Sequence, residues 1–264
     1  MNRRNFVSAG LATGAASWPV LAQTPGKGGD GKQEFLELRL YHTLLGDRKK
    51  PLQDYLSGAF IPAANRLGIK AVGVFNVLYG PNRPSLYVLI PHPTIESVLS
   101  LSSRLGKDAE YQKTAAPFLD MPLSDPGFVR LESSLLLAFA HMPKLAVPAQ
   151  VAEKKSRIFE LRIYESHGEK AAKKKIEMFN EGGEIGIFLS AGLRPVFFAE
   201  TLAGPLMPNL HYMLVFNDMA DRDKGWAVFR DHPDWVKLRG KPEYANTVSN
   251  ITDIILQPTP YSQI

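Results

Sequence analysis

Two short segments of the chain carry the same polar side chains at the same spacing. The sequence Glu-Leu-Arg-Leu-Tyr at residues 37–41 returns as Glu-Leu-Arg-Ile-Tyr at residues 160–164, a shift of 160 − 37 = 123 residues. A glutamate and an arginine two residues apart on a strand lie close enough for a charge-assisted hydrogen bond, and the tyrosine adds a hydroxyl. Such a set can bind the polar groups of a small ligand.

Strand alternation places the polar and the apolar members of each segment on opposite faces. We expect the aliphatic face to lie under helices and the polar face to point toward an opposite sheet, where it lines a ligand cavity. The alternatives are a Glu–Arg pair that satisfies itself inside the protein, and a polar face that meets water. Buried charges cost several kcal/mol each unless they are paired. The candidate ligand-binding residues on these strands are Glu37, Arg39, Tyr41, Glu160, Arg162 and Tyr164.

A second group of residues, from Trp226 to Trp235, combines aromatic and titratable side chains. His232 precedes Pro233, which predicts a helix start with proline at its first position and His232 near the cap. The two tryptophans either anchor helix to sheet or form the aromatic wall of a pocket, in which His232 binds a ligand or carries a proton. We therefore add Trp226, His232 and Trp235 to the candidate ligand-binding residues.

The composition and the motifs exclude several kinds of site. The chain has no cysteine, which excludes disulfides, iron–sulfur clusters, cysteine-type zinc sites and cysteine nucleophiles. It has no phosphate loop, no His-Glu-x-x-His helix and no Gly-x-Ser-x-Gly elbow, and we expect no metal site. A formal net charge of +5 is too mild to indicate a nucleic-acid partner. We expect no cofactor, with haem as the alternative.

The N-terminus has the pattern of an export signal. Arg3 and Arg4 are followed by Phe6 and by a weakly apolar run rich in alanine and glycine, with cleavage expected near Ala22. We expect residues 1–22 to be a twin-arginine signal peptide that engages the twin-arginine export machinery, and the mature protein to be periplasmic. The alternatives are an ordinary Sec signal and an untargeted tail. The segment is too short and too weakly apolar for a stable membrane span.

The remaining chain divides into two copies of one unit. We expect a flexible leader at 23–33, a first repeat at 34–142, a linker at 143–156 and a second repeat at 157–258. In each repeat the hydrophobic periodicity predicts the order β-α-β-β-α-β, which is the ferredoxin-like unit of an α+β fold. Helices cover one face of such a sheet and leave the other bare. We therefore expect the two sheets to close into one barrel within the chain, as a monomer or a homodimer.

Three details of this prediction can be checked against a structure. The first repeat has a predicted helix over 50–67 with a local fault at Pro62. The second repeat has one long predicted helix over 169–191. The middle strands of the two repeats are aligned so that Tyr87 corresponds to Tyr212.

The second repeat resembles a known family. The matching features are Phe-Glu-Leu-Arg-Ile-Tyr at 159–164, Gly192 after a helix, the strand 211–216 and the Trp226-to-Trp235 segment. Together they make 157–256 resemble a NIPSNAP domain of the dimeric α/β-barrel superfamily. Residues 35–140 resemble it more loosely, because the Trp and Pro-x-Trp part is absent there.

The resemblance implies a barrel fold but no settled enzymatic activity. Mitochondrial NIPSNAP proteins are discussed as scaffold and signalling proteins, and more distant barrel relatives include haem-handling enzymes and cofactor-free monooxygenases. Our main hypothesis is an exported protein that binds a small, partly apolar ligand between its two sheets. The first alternative is a monooxygenase-like or haem-handling enzyme, in which Arg162 stabilises an anionic intermediate and His232 or His211 moves a proton. The second is a non-catalytic scaffold.

Overall fold

A computed structural model of the protein describes residues 32–43 and 49–264. The predicted signal peptide at 1–22 and all but the last two residues of the predicted leader at 23–33 lie outside the described residues. None of the helices in the described part of the chain has the length and hydropathy of a membrane-spanning segment.

Eight antiparallel strands of the described chain form one closed barrel. The strands are β1 (Phe35–His42), β2 (Gly73–Tyr79), β3 (Ser85–His92), β4 (Arg130–Ala138), β5 (Ile158–Glu165), β6 (Pro195–Ala203), β7 (Asn209–Phe216) and β8 (Asn250–Pro258). Around the barrel their order is β1-β3-β2-β8-β5-β7-β6-β4. The first four strands are thus adjacent as β4-β1-β3-β2 and the last four as β8-β5-β7-β6. We call residues 34–142 the first half and residues 157–258 the second half.

Helices pack on the outside of both halves. The first half has α1 (Lys50–Tyr55), α2 (Ile61–Arg66), α3 (Ile95–Leu105) and α4 (Ala109–Leu119), with a π-helical turn (Leu56–Phe60) between α1 and α2. A short helix, α5 (Ala149–Ala152), lies in the segment between the halves. The second half has α6 (Glu169–Phe179), α7 (Glu184–Ser190), α8 (Met219–Asp231), α9 (Pro233–Arg239) and a 3-10 turn (Pro242–Tyr244).

Apolar side chains from both halves fill the interior of the barrel. Leu38 and Leu40 of β1 belong to the same buried cluster as Leu161 and Ile163 of β5. The aliphatic faces of the two strands therefore point inward, and our prediction that they lie under the helices is wrong. Both faces of each sheet are buried here, so alternation shows which side chains share a face but not which face is the interior. In the second half, helix α8 supplies Arg222 and Trp226 as donors to Glu160, which favours the observed direction of the charged face.

The predicted helices are confirmed with two differences in detail. The long helix predicted over 169–191 is two helices, because Gly183 adopts a left-handed conformation with φ +86° between them. Pro62 does not end the helix. The π-helical turn precedes this proline, which lies in the first turn of α2, where a missing N–H costs no hydrogen bond within that helix.

The alignment of the middle strands is shifted by one residue from our prediction. Leu40 pairs with Tyr87 and Ile163 pairs with His211, so Tyr87 corresponds to His211 and not to Tyr212. Because a shift of one residue exchanges the faces of a strand, Tyr87 faces the barrel interior whereas Tyr212 faces the helices.

Candidate ligand site between sheet and helices

Each Glu-Arg-Tyr face lies between its own sheet and its own helices. The Arg39 guanidinium lies 5.3 Å from the ring centre of Phe60, at the end of the π-helical turn. The Arg162 guanidinium lies 4.1 Å from the ring centre of Trp226 on α8. The two polar sets therefore do not meet across the barrel, whose interior is packed with apolar side chains. The ligand space that we predicted between the sheets is filled, and each half has a separate candidate site.

Glu160 is the centre of a closed polar network in the second half. Its side chain is fully buried. Its Oε1 accepts hydrogen bonds from Arg162 Nε at 2.9 Å and from Arg222 Nη2 at 2.6 Å. Its Oε2 accepts the indole N–H of Trp226 at 2.6 Å. Both oxygens of this buried carboxylate thus have strong donors, as a buried charge requires.

Arg162 is engaged on its other sides as well. Its Nε lies 2.6 Å from Asp253 Oδ1 on β8. Its Nη1 donates to the Tyr164 hydroxyl at 3.3 Å, and that hydroxyl lies 2.8 Å from the Tyr212 hydroxyl. Burial raises the pKa of Tyr212 well above its ordinary value, so its hydroxyl stays protonated. The second half therefore matches the interpretation of a Glu–Arg pair that satisfies itself.

The remaining candidates of the second half lie outside this network. Trp235 packs on Phe229 at 4.7 Å between ring centres. Its ring centre is also 5.7 Å from the ammonium of Lys175, which forms a buried ion pair of 2.7 Å with Glu184. Burial raises the pKa of Glu184, although Lys175 opposes that shift. This pair was not predicted from the sequence, because Lys175 stands in a lysine-rich helix that resembles a solvated surface.

The two histidines proposed as proton carriers lie in different places. His232 caps α9: its Nδ1 accepts the Asp234 N–H at 3.3 Å, which confirms the predicted helix start. Its Nε2 is 3.1 Å from Ser190 Oγ. His211 points into the barrel interior, on the opposite face of β7 from Tyr212, and burial lowers its pKa to about 4. The structure places neither histidine beside Arg162.

The Glu–Arg pair of the first half has a simpler set of partners. Arg39 donates to Glu37 twice, from Nε to Oε1 at 2.7 Å and from Nη2 to Oε2 at 2.9 Å. Ser133 adds a bond to Oε1 at 2.9 Å. Burial raises the pKa of Glu37, but the neighbouring His92, Arg39 and Ser133 more than offset that effect and lower it to about 2. Tyr41, the third member of the set, packs edge-on against Phe128 with 5.4 Å between ring centres.

An open cavity of about 310 Å³ lies over Arg39. It lies between α3 and α4, and its lining includes Tyr55 and Tyr111, whose hydroxyls are 2.9 Å apart. Because one hydroxyl of this pair donates to the other, the second retains an O–H that can donate to a ligand. The rest of the lining consists of Ser102, Leu105, Gly106, Gln112 and Leu119.

One helix position explains why this cavity is open in the first half only. Thr94 caps α3 and Asp218 caps α8, each by accepting the backbone N–H three residues on. Ser102 lies 102 − 94 = 8 residues after the first cap, and Trp226 lies 226 − 218 = 8 residues after the second. The Trp226 indole covers Arg162, whereas the serine hydroxymethyl leaves the equivalent space over Arg39 empty.

Comparisons with known proteins agree with this architecture. Residues 159–263 match the NIPSNAP family model. A NIPSNAP-like domain protein from Burkholderia xenovorans, itself uncharacterised, is 24% identical over 40% of this chain and 89% of that chain, with a TM-score of 0.37. No curated protein sequence matches the chain.

Two solved structures cover most of the barrel. Both are bacterial proteins described as a "putative monooxygenase". The one from Lactobacillus acidophilus has a TM-score of 0.57 and 10% identity, covering 86% of this chain and 94% of that chain. The one from Fusobacterium nucleatum has a TM-score of 0.55 and 10% identity, covering 86% and 93%. The fold is thus similar to that of dimeric α/β-barrel proteins, and residues 159–263 are similar to NIPSNAP domains.

Proposed function

We propose that the protein binds a small organic anion in the cavity over Arg39. Arg39 supplies positive charge, the pair of Tyr55 and Tyr111 supplies a hydroxyl donor, and Leu105 and Leu119 supply apolar contact. A guanidinium beside a hydroxyl donor suits a carboxylate or a similar oxyanion. A volume of about 310 Å³ is at the lower end of the range for ligand pockets and suits a molecule of about one ring.

The contrast between the two arginines carries this proposal. Arg162 has a tryptophan on its face and carboxylates or hydroxyls at its edges, so no room is left for a ligand beside this arginine. Arg39 has one carboxylate partner and a cavity above it. A buried guanidinium that lines an open cavity is available to an anion from solution.

The lining of the cavity favours binding over the enzymatic alternatives. Of the side chains that ligate haem iron, namely His, Cys, Met and Tyr, this lining contains only the two tyrosines, and they bond to each other. The lining has no histidine or carboxylate that could move a proton at neutral pH.

Two broader inferences accompany this proposal. The same strand order in both halves and the sequence shift of 123 residues support a duplication of one ferredoxin-like unit.

Export to the periplasm rests on the Arg3-Arg4 pattern and is tested by fractionating cells that have or lack the twin-arginine machinery. A protein found in the cytoplasm of both strains would contradict it.

Isothermal titration calorimetry with benzoate tests the binding proposal. Benzyl alcohol, which has the same ring and no charge, is the matched probe, and we expect it to bind at least about tenfold more weakly. Ser102→Trp should abolish benzoate binding, because an indole would take the ligand's place. Ser103→Trp is the control, since Ser103 is the exposed neighbour on α3 and is not part of the lining.

Two results would overturn the proposal. One is benzoate binding that is equally strong in the Ser102→Trp variant. The other is a failure of the wild-type protein to bind benzoate, phenylacetate and hexanoate alike.

A further inference from the structure

We propose that the Arg39 site takes up its anionic ligand together with a proton, which His92 holds beside Glu37. The inference rests on the proposed function, because it concerns the groups behind Arg39 when an anion binds there. In this proposal His92 is a positioning residue, which acts on the ligand through Glu37 and Arg39.

His92 has an unusual environment at the end of β3. Its side chain is fully buried, and its Nδ1 lies 3.0 Å from Ser97 Oγ on α3. Its Nε2 has no hydrogen-bond partner among the described residues, and it lies 3.8 Å from Glu37 Oε2. A buried polar atom without a partner has lost its hydration and gained no bond in return, so a folded protein rarely contains one without a reason.

Glu37 has room for one more donor on the side of His92. Its Oε1 accepts two hydrogen bonds, from Arg39 Nε and Ser133 Oγ, whereas its Oε2 accepts one, from Arg39 Nη2. A carboxylate oxygen has two lone pairs, so Oε2 can accept a second donor.

The second half shows how the equivalent position is completed. Glu160 Oε2 accepts the permanent N–H donor of Trp226. The position equivalent to His92 is Phe216, because Phe35 pairs with His92 as Ile158 pairs with Phe216. The half with a fixed donor has a phenylalanine at this position, and the half with the open cavity has a histidine there.

An anion at Arg39 changes the balance around Glu37. A ligand at Arg39 shares the guanidinium charge that Glu37 otherwise has to itself, so the buried carboxylate is better satisfied with a second donor at Oε2. The imidazolium form of His92 donates from both ring nitrogens, to Ser97 and to Glu37, after a movement of about 1 Å. The proton also balances the charge of the ligand, so that the site stays neutral overall.

The other charged groups near His92 are occupied elsewhere. His92 also borders a second cavity, whose lining includes Glu34 before β1 and Lys70 before β2. Glu34 Oε2 accepts the Leu145 N–H, and Lys70 Nζ donates to the Asn65 carbonyl. Glu37, with Arg39 behind it, is therefore the charged group that responds to the protonation of His92.

The test is a proton count during benzoate binding. Titrations near neutral pH in Bis-Tris and in Tris, which differ in their ionisation enthalpies and add no oxyanion that could compete for the site, give the number of protons taken up. We expect about 0.5–1 proton per benzoate, and an affinity that weakens by up to about tenfold per unit as pH rises. His92→Gln keeps an N–H donor without a titrating group, so benzoate should bind to it with no proton uptake and little pH dependence.

His167→Gln is the matched control, because His167 is exposed in the second half, and its proton count should equal that of the wild type. Binding without proton uptake in the wild-type protein would overturn this inference and leave the proposed function intact. An unchanged count in His92→Gln would overturn it as well. If that variant does not fold, the wild-type count decides. A wild-type protein that binds no anion would overturn both the inference and the proposed function.

Discussion

The two halves of the barrel place the same Glu-Arg-Tyr strand under helices of different composition. In the second half, Trp226 and Arg222 of α8 close over Glu160 and Arg162. In the first half, Ser102 stands in place of the tryptophan and leaves a cavity above Arg39. The strand supplies a buried charge pair in both halves, while the helix decides whether the arginine of the pair is covered or borders an open cavity.

The Glu–Arg pair of the second half also has more charged neighbours than the Glu–Arg pair of the first half. Arg222 lies four residues after the cap of its helix, and its counterpart four residues after Thr94 is Val98. Asp253 pairs with Arg162 across the sheet, and the residue that pairs with Arg39 there is Ser133. The second half thus adds one cation and one anion that complete its network, whereas the first half leaves its arginine with a single carboxylate.

The largest expected effect concerns the buried ion pair of the second half. Lys175→Met leaves Glu184 buried without a partner and should lower the free energy of unfolding by about 3–5 kcal/mol. Lys175→Met with Glu184→Leu should recover most of that loss. The exposed Lys50–Asp54 pair of the first half is the comparison, and Lys50→Met should cost less than about 1 kcal/mol. Equal losses in urea unfolding would contradict this difference between the halves.

The second prediction exchanges the residues at the equivalent helix positions, Trp226 on α8 and Ser102 on α3. Trp226→Ser should cost about 3–5 kcal/mol, because it empties the space over Arg162 and removes a donor from Glu160. Ser102→Trp should change stability by less than about 1 kcal/mol, because the indole enters space that is already open. Urea unfolding measures both. A costly Ser102→Trp together with a neutral Trp226→Ser would contradict the difference in packing over the two arginines.

A third prediction concerns the two equivalent side chains that face the barrel interior, His211 in the second half and Tyr87 in the first. The pKa of buried His211 is about 4 in the folded protein, against 6.5 for an ordinary histidine. The unfolded chain takes up this proton below pH 6.5 and the folded protein does not, so stability should fall by about 3 kcal/mol between pH 6.5 and pH 4. Above pH 6.5 this contribution is fully present.

Two variants check that assignment by urea unfolding over the same pH range. His211→Gln should flatten the slope. Tyr87→Phe should leave it unchanged, because Tyr87 at the equivalent position has a pKa raised to about 12 and does not titrate in acid. A slope that persists in His211→Gln would assign it to other groups.

The smallest expected effect concerns the arginines themselves. Arg39→Lys keeps the charge but loses the planar fork that Glu37 and a ligand share, so benzoate affinity should fall about tenfold, or about 1.4 kcal/mol. Arg162→Lys should leave benzoate affinity unchanged, because Trp226 covers that position. Calorimetry of the two variants side by side measures this, and a loss confined to Arg162→Lys would place the ligand in the other half.

Local sequence patterns predicted most of the fold. Alternation and turn residues gave the positions of the strands, and the helix start at Pro233 followed from the His-Pro pair. The helix α4 was missed, since Pro117 within it and the polar residues after Asp108 obscure its periodicity. The direction of the strand faces could not be predicted, because it depends on which side of a doubly covered sheet offers polar partners.

The candidate site was predicted in part. The Glu-Arg pairs were found from spacing, but an exposed serine on a helix gives no signal of a cavity. From the sequence, the absence of the tryptophan in the first repeat meant only a looser family resemblance, whereas in the structure this position borders the open space above Arg39. His92 was missed because its partner Glu37 lies on another strand, 3.8 Å away across the sheet.

A crystal structure of the protein grown with benzoate tests the central claim most directly. We expect the carboxylate at Arg39 in the cavity between α3 and α4, with the Trp226 indole still over Arg162. Benzoate inside the barrel or over Arg162, with the first-half cavity empty, would contradict it.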